Sequence, residues 1–271
     1  MTTFQSLILS ALNAVSTVWP LPIDIATGIL KWSVNWDINS SDVIALQSIA
    51  ISGVLLFHFR FEVLGAITGL LSLVFKPHLP KTLDEMTAVF LILINLPTAL
   101  TQVWLTDFDF PVWLPALTGL VGAFFWKWAS RFGKKTKGLN HIRYIDALFI
   151  GLLLPLSLLP GIGLPVILFA LFWATNYSDD ATDHLVWTTI TIQSLVRSIH
   201  YVVLGQATQA WDDHGKMNSI VIIGISVIAG FVLFDLFRKA QRERWVSQMF
   251  WLRFLGSLAF VGLWLFRTLN T

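Results

Sequence analysis

Long apolar runs separated by short charged loops organise this chain. Read in windows of about 20 residues, the length needed to cross a bilayer, they predict membrane-spanning helices near 43–59, 86–105, 112–129, 185–205, 219–237 and 250–269. Shorter or broken apolar segments lie near 4–30, 63–75 and 145–171. The runs are continuous rather than alternating, which excludes the strands of a transmembrane barrel. The pattern therefore predicts an all-α polytopic membrane helical bundle, a single integral membrane domain over residues 1–271.

Two of the broken segments resemble each other in order and composition. The first, at 20–28, has two prolines and a glycine and is followed by Trp-Ser-Val-Asn-Trp at 32–36. The second, at 155–165, has three prolines and two glycines and is followed by Trp-Ala-Thr-Asn-Tyr at 173–177. Matched broken segments in two halves of a membrane protein point to a binding site where repeats meet. We therefore predict two inverted repeats with re-entrant helices; the alternative is two proline-kinked helices that are alike by chance.

Positive charge gathers in two loops, 127–143 and 238–244, which the positive-inside rule predicts to face the cytoplasm. Two complete spans lie between these loops. Because that number is even, the broken segment 145–171 must enter the membrane and return to the same side. The charge pattern thus supports re-entrant geometry, with a first repeat half over 1–130 and a second over 140–271.

Composition supports a membrane protein and removes several function classes. The chain is 55% hydrophobic and 13% charged, whereas soluble domains carry about 25% charged residues. It has no cysteine, which excludes disulfides and thiolate metal sites. The sequence contains no Walker, His-Glu-x-x-His or Gly-x-Ser-x-Gly motif. We expect no nucleic-acid partner, no metal and no resident cofactor, with a divalent cation needed only if the protein is catalytically active.

A few polar residues within apolar segments are candidates for chemistry, since ionisable groups at membrane depth are costly. Asp24 either binds substrate or caps a half-helix. Arg197 and His200 lie three residues apart on one predicted helix face, which suits a phosphate. Arg197 alternatively pairs with an acidic residue or reaches the headgroups. Gly161 and Gly163 predict a tight turn whose N–H groups would form an anion-binding nest.

Arg253 stands at the beginning of the last predicted span. We interpret it as an interfacial cation, because arginines near the ends of membrane helices reach the headgroups. Arg253 together with Gly256 alternatively marks close helix packing.

Three stretches of the chain carry a resemblance to a known family. They are Leu7–Leu12 with Trp19-Pro20, Tyr144–Gly151 with Leu159-Pro160-Gly161, and Phe250–Gly256. In order and spacing they resemble the integral-membrane undecaprenyl-pyrophosphate phosphatases, over nearly the whole chain. The resemblance implies interlocked inverted repeats with re-entrant loops and a multi-pass protein of the bacterial inner (cytoplasmic) membrane. It also implies a polyprenyl phosphate or pyrophosphate as the lipid partner.

The residues at the family's reacting positions differ in this chain. With Pro20 aligned, the two family glutamates fall on Asn13 and Thr17, and the family's phosphate-binding arginine falls on Leu164. The resemblance therefore implies a retained scaffold without the reacting groups. The substrate-binding candidates are Thr17, Asp24, Gly161, Gly163, Arg197 and His200.

Three functional hypotheses stay open. The first is a non-hydrolytic protein that binds or moves a polyprenyl-phosphate-type lipid, or regulates a partner that does. The second is an active undecaprenyl-diphosphate phosphatase with relocated catalytic groups, which would require Asp24 and Arg197 to converge near Gly161. The third is a structural subunit of a membrane complex. A homodimer or a membrane-complex partner is compatible with each hypothesis.

Overall fold

The computed structural model describes residues 41–105, 110–111, 113–205, 216–242 and 246–270, and before them Gln5, Ile8, Ala11, Leu12, Ile25 and Ile29. Within these ranges the chain forms nine α-helices and no strand: α1 (Ser41–His58), α2 (Arg60–Phe75), α3 (Leu83–Leu105), α4 (Leu114–Phe132), α5 (Tyr144–Leu153), α6 (Leu164–Ala174), α7 (Asp179–Val203), α8 (Lys216–Arg242) and α9 (Val246–Asn270). Two short 3-10 helices, Leu139–His141 and Leu154–Leu158, flank α5.

All six predicted spans coincide with helices, which confirms the all-α polytopic bundle. Three of the described helices are individually long and apolar enough to cross a membrane, through Leu83–Thr101, Ser219–Leu236 and Gln248–Phe266. The pair α1 and α2, bent by 85° at Phe59, adds a fourth candidate if it forms one broken span. α4 and α7 have 19 and 25 residues; α4 carries basic side chains near its end, and α7 carries four fully buried threonines.

α4 and α9 pack antiparallel along small residues of α4. A Cβ placed on Gly119 would lie 2.6 Å from Ser257 Oγ, and one on Gly122 would lie 3.3 Å from Arg253 Nη2. Small residues permit this close approach, as at other membrane helix interfaces. Beyond them, Lys127 Nζ lies 4.3 Å from the ring centroid of Phe250. The C-terminal end of α4 therefore lies beside the N-terminal end of α9, so both basic loops leave helices at the same end of the bundle. The cytoplasmic assignment of that end stays a prediction.

Residues 144–174 form a broken hairpin made of α5, the second 3-10 helix, a turn and α6. The segments before α5 and after α6 are bonded to each other. The N–H groups of Thr136 and Lys137 each donate to the Asn176 carbonyl at 2.9 Å, and the Ser178 N–H donates to the Lys137 carbonyl at 2.8 Å. The hairpin thus returns to the end of the bundle at which it starts, as predicted for 145–171. Its entry into a membrane from that side stays a prediction. The inverted relation of the two halves stays a prediction, because the first broken segment lies largely outside the described residues.

α6 lies at the centre of the core. Every residue from Pro165 to Trp173 is buried, and the helix packs against the rings of Phe90, Trp126 and Trp187. With 11 residues, α6 is about 16 Å long and too short to cross a bilayer. Its backbone ends can lie at membrane depth because protein surrounds them.

A polar cluster joins the two ends of the hairpin. Lys137 Nζ and Asp146 Oδ2 form an ion pair at 2.8 Å, and the Tyr177 hydroxyl donates to the same carboxylate oxygen at 3.2 Å. Burial disfavours the phenolate and raises the pKa of Tyr177 above its ordinary value, so this phenol remains a hydrogen-bond donor at physiological pH. The cluster ties the start of α5 to the segment that follows α6.

Replacement of Asp146 by asparagine is expected to lower the free energy of unfolding by about 1–3 kcal/mol, because the half-buried Lys137 ammonium then lacks its charged partner. The matched control is Asp180→Asn, which changes an exposed carboxylate in the first turn of α7 and should cost less than about 0.5 kcal/mol. Equilibrium unfolding in mixed micelles measures both variants. Equal losses would show that the cluster does not hold the hairpin.

Candidate functional site

The turn of the hairpin, Leu159–Gly163, lies deep within the bundle. α6 runs parallel to α4: Ile162 is near Gly122, Phe169 contacts Trp126, and Trp173 lies against Gly133 at the end of α4. The turn is therefore level with the first two turns of α4, roughly 15–20 Å from the end at which the hairpin starts. Its depth matches the membrane interior, where an exposed turn would be costly.

The backbone of the turn requires glycine at its centre. Gly161 has a φ of +96°, a conformation that residues with a Cβ rarely adopt. A Cβ at this position would collide with the Pro115 carbonyl oxygen and lie 2.6 Å from Thr118 Oγ1. The Thr118 hydroxyl in turn donates to the Pro160 carbonyl. The first two turns of α4 thus pack closely against the hairpin turn.

Arg253 of α9 holds this turn. Its Nη2 atom donates to the carbonyl oxygens of Gly161 and Ile162, each at 2.7 Å, and the residue is 1% exposed. The interfacial interpretation of Arg253 is therefore wrong. The helix alignment with α4 carries Arg253 to the level of Gly122, inside the bundle, where the carbonyl dipoles of the turn offset part of the cost of burying its charge.

A second positive group converges on the same place. Gly163 is the N-terminal cap of α6, with a φ of +76° and no side-chain cap, and Pro165 in the first turn has no N–H. The N–H groups of Leu164 and Val166 lack partners within the helix by geometry, and the helix end carries about half a positive charge. A Cβ on Gly163 would lie 3.9 Å from Arg253 Nη1. The guanidinium and the helix end therefore lie close together, an arrangement that suits an anion.

Ser257 adds a hydroxyl near the Gly161 end of the turn. It lies four residues after Arg253 and hence on the same face of α9. It is fully buried, and its Oγ has no hydrogen-bond partner within the part of the chain that the structure describes. A Cβ on Gly119 would lie 2.6 Å from Ser257 Oγ and 3.6 Å from the Gly161 carbonyl oxygen. Ser257 is therefore available as a donor near the turn.

The first broken segment reaches the same place through Ile25. This buried residue packs with Ala116 of α4 and Phe260 of α9, and its Cδ1 lies 2.7 Å from a Cβ built on Gly119. Ile25 therefore meets α4 at the level of the hairpin turn. The candidates Asn13, Thr17 and Asp24 lie outside the described residues.

The structure places the remaining candidates in two locations. Gly161 and Gly163 belong to the site described above, and Leu164 is the first residue of α6. Arg197 and His200 are exposed on α7, where the neighbouring Ser198 bonds to Ser48 and Ser52 of α1. No contact between this pair and the turn occurs among the described residues. Their role in binding stays a prediction.

Sequence reasoning missed Arg253 and Ser257 as site residues. The position of Arg253 within an apolar span could have identified it, because a charged side chain at membrane depth is costly and usually has a function. Its place near the start of the span favoured the interfacial interpretation. The described residues contain no group of three or more His, Asp or Glu side chains that could hold a metal ion.

Comparison with known proteins supports a distant relationship to the family that the sequence resembles. The sequence matches no protein-family model. It is similar to an undecaprenyl-diphosphatase of Moorella thermoacetica, with 23% identity over 168 residues. The match covers 60% of this chain and 61% of that protein, so the chain spans about three fifths of the length of the relative it matches. The chain is thus a multi-pass membrane protein distantly related to an undecaprenyl-diphosphatase.

Proposed function

We propose that this protein binds the phosphate headgroup of a polyprenyl-phosphate-type lipid at the hairpin turn, and that it does not hydrolyse the lipid. One observation carries the proposal: the buried guanidinium of Arg253 lies beside the N-terminus of α6. The distant relative, an undecaprenyl-diphosphatase by name, supports a polyprenyl lipid as the ligand.

Charge complementarity favours a phosphate at this position. An arginine contributes one positive charge and a helix N-terminus about one half, while a phosphate monoester carries about −1.5 to −2 at neutral pH. Charge-assisted hydrogen bonds from Arg253, from the N–H of Leu164 and from the Ser257 hydroxyl would each contribute about 1.5–3 kcal/mol in this buried setting. The isoprenoid chain would leave the turn toward the lipid.

The non-hydrolytic part rests on the residues at the family's reacting positions. Cleavage of a phosphoanhydride needs a nucleophile or base and stabilisation of the developing charge. Asn13 and Thr17 stand where the family has glutamates, and Leu164 stands where the family has its phosphate-binding arginine. The Asn13 amide cannot act as a base, the Thr17 hydroxyl would need a base to become a nucleophile, and Leu164 cannot stabilise negative charge. Arg253 approaches from another helix and supplies charge for binding.

Two assays on purified protein in nanodiscs test the proposal. We expect native mass spectrometry to detect retained undecaprenyl phosphate, and we expect no release of inorganic phosphate from undecaprenyl pyrophosphate above a protein-free control. Phosphate release at the rate of an authentic undecaprenyl-diphosphatase would overturn the non-hydrolytic part. In that case, the absence of phosphate release by the Asp24→Asn and Arg197→Met variants would identify the relocated catalytic groups. Failure to retain the lipid would overturn the binding part.

A further inference from the structure

We infer that an anionic diacyl phospholipid binds at a second site, the α4–α9 seam, at the end of the bundle where the two basic loops leave the helices. The seam is formed by Phe124, Lys127, Trp128 and Arg131 of α4 with Phe250 and Trp251 of α9. It lies on the outer surface of the same helix pair whose inner face holds the hairpin turn. The inference is independent of the proposed polyprenyl lipid.

The cations of the loop 127–143 fall into two groups. Lys135 pairs with Asp179 at 2.7 Å, and Lys137 pairs with Asp146 at 2.8 Å, so two cations on the hairpin side of the loop are neutralised, while the exposed Arg143 before α5 forms no ion pair among the described residues. Lys127, Arg131 and Lys134 form no ion pair with any residue in the part of the chain that the structure describes. Two of the cations without an ion pair, Lys127 and Arg131, lie on the face of α4 that forms the seam, and four more basic residues precede α9 in the sequence, at 238–244.

Aromatic rings fix the ammonium of Lys127 between the two helices. Its Nζ lies 4.3 Å from the ring centroid of Phe250 and 5.6 Å from that of Trp251. These cation–π contacts position the charge at the seam but leave its donors available to an anion. Arg131 lies four residues later and hence on the same face of α4. The two cations are about one helical turn apart, a spacing that one phospholipid headgroup can bridge.

An apolar ladder runs down the seam from these cations. Phe124, Trp128, Trp251 and Leu255 are each more than half exposed. The rings of Phe124, Phe250 and Phe254 are in mutual edge or stacked contact, which continues the ladder toward the membrane interior. A surface with two cations above an exposed apolar ladder is complementary to an amphiphile with a phosphate headgroup and two acyl chains. Basic pockets at the cytoplasmic ends of membrane helices recognise anionic lipid headgroups by the same means.

Phosphatidylglycerol is the probe for this site. The protein is reconstituted in nanodiscs of phosphatidylcholine doped with phosphatidylglycerol and free of polyprenyl lipid, and native mass spectrometry measures the retained lipid as a function of the doping level. The double variant Lys127→Gln/Arg131→Gln should bind phosphatidylglycerol about 25-fold more weakly, at about fivefold per cation. Exchange of the cations in Lys127→Arg/Arg131→Lys should preserve most of the binding.

The matched control is Arg60→Gln/Lys135→Gln, which removes the same total charge elsewhere. Arg60 is an exposed cation over the rings of Phe57 and Phe61 at 5.0 and 4.7 Å, and Lys135 is the neutralised neighbour of the seam. The control should change the apparent affinity less than twofold. Equal losses in both double variants, no loss in the seam variant, or equal retention of phosphatidylcholine and phosphatidylglycerol by the unmodified protein would each overturn the inference.

Discussion

Replacement of Gly161 by alanine is expected to destabilise the folded protein by about 2–5 kcal/mol. Two costs add at this position. The left-handed backbone, with a φ of +96°, costs about 1–2 kcal/mol for a residue with a Cβ. The added methyl group would also collide with the Pro115 carbonyl, part of a helix backbone that cannot easily move, and overpacking of this kind costs about 1–3 kcal/mol.

The control for this prediction is Gly262→Ala on α9. Gly262 lies within a helix, and a Cβ there meets nothing within 4 Å, so alanine should be neutral or stabilising by up to about 1 kcal/mol. Reversible unfolding in mixed micelles compares the two variants with the unmodified protein. A Gly161→Ala protein as stable as Gly262→Ala would mean that the hairpin turn does not pack against α4 as described.

Replacement of Arg253 by methionine is expected to weaken binding of undecaprenyl phosphate by at least about 30-fold. The substitution keeps a long apolar side chain but removes the guanidinium, and with it at least one charge-assisted bond to the phosphate, worth about 2 kcal/mol. It also leaves the carbonyl oxygens of Gly161 and Ile162 without their donor, so the protein should be less stable as well.

The variant Arg253→Lys tests whether lipid binding needs only the positive charge or also the planar geometry of the guanidinium. A lysine keeps the positive charge, but its single ammonium cannot bond two carbonyl oxygens and still present a second planar nitrogen to an anion. We expect an intermediate affinity for the lipid. Arg197→Met is the comparison variant, because Arg197 is an exposed arginine on α7. Titration of the purified variants with undecaprenyl phosphate measures all three. Loss of lipid binding in Arg197→Met, with full binding in Arg253→Met, would instead place the site at Arg197 and His200, one of the alternatives that the sequence suggests.

The sequence predicts the helices and the re-entrant hairpin because both depend on local composition and charge. Apolar runs of about 20 residues mark the long helices whatever their neighbours are. The hairpin follows from prolines and glycines in 155–165 and from the even number of spans between two basic loops. The bend at Phe59 has no such signal, since His58-Phe59-Arg60 contains neither proline nor glycine. The 85° angle there arises between helices whose packing the local sequence does not specify.

The centre of the candidate site depends on the register between distant helices, which no local pattern encodes. Arg253 of α9 reaches the turn because it lies level with Gly122 of α4 in the antiparallel helix pair. Close contacts at Gly119 and Gly122 set this alignment of the two helices. A shift of one helical turn would carry the same arginine about 5 Å toward the interface. The prediction of a glycine turn with an anion nest at Gly161 and Gly163 depended only on local chemistry, and the structure places the Arg253 guanidinium beside that turn.

A cryo-electron microscopy structure of the protein with bound undecaprenyl phosphate tests the central claim most directly. We predict density for the phosphate at the N-terminus of α6, within hydrogen-bonding distance of Arg253 Nη1 and the Leu164 N–H, with the Gly161–Arg253 contact retained. Phosphate density beside Arg197 and His200 on the outer surface of α7, with the hairpin turn unchanged and empty, would contradict the account.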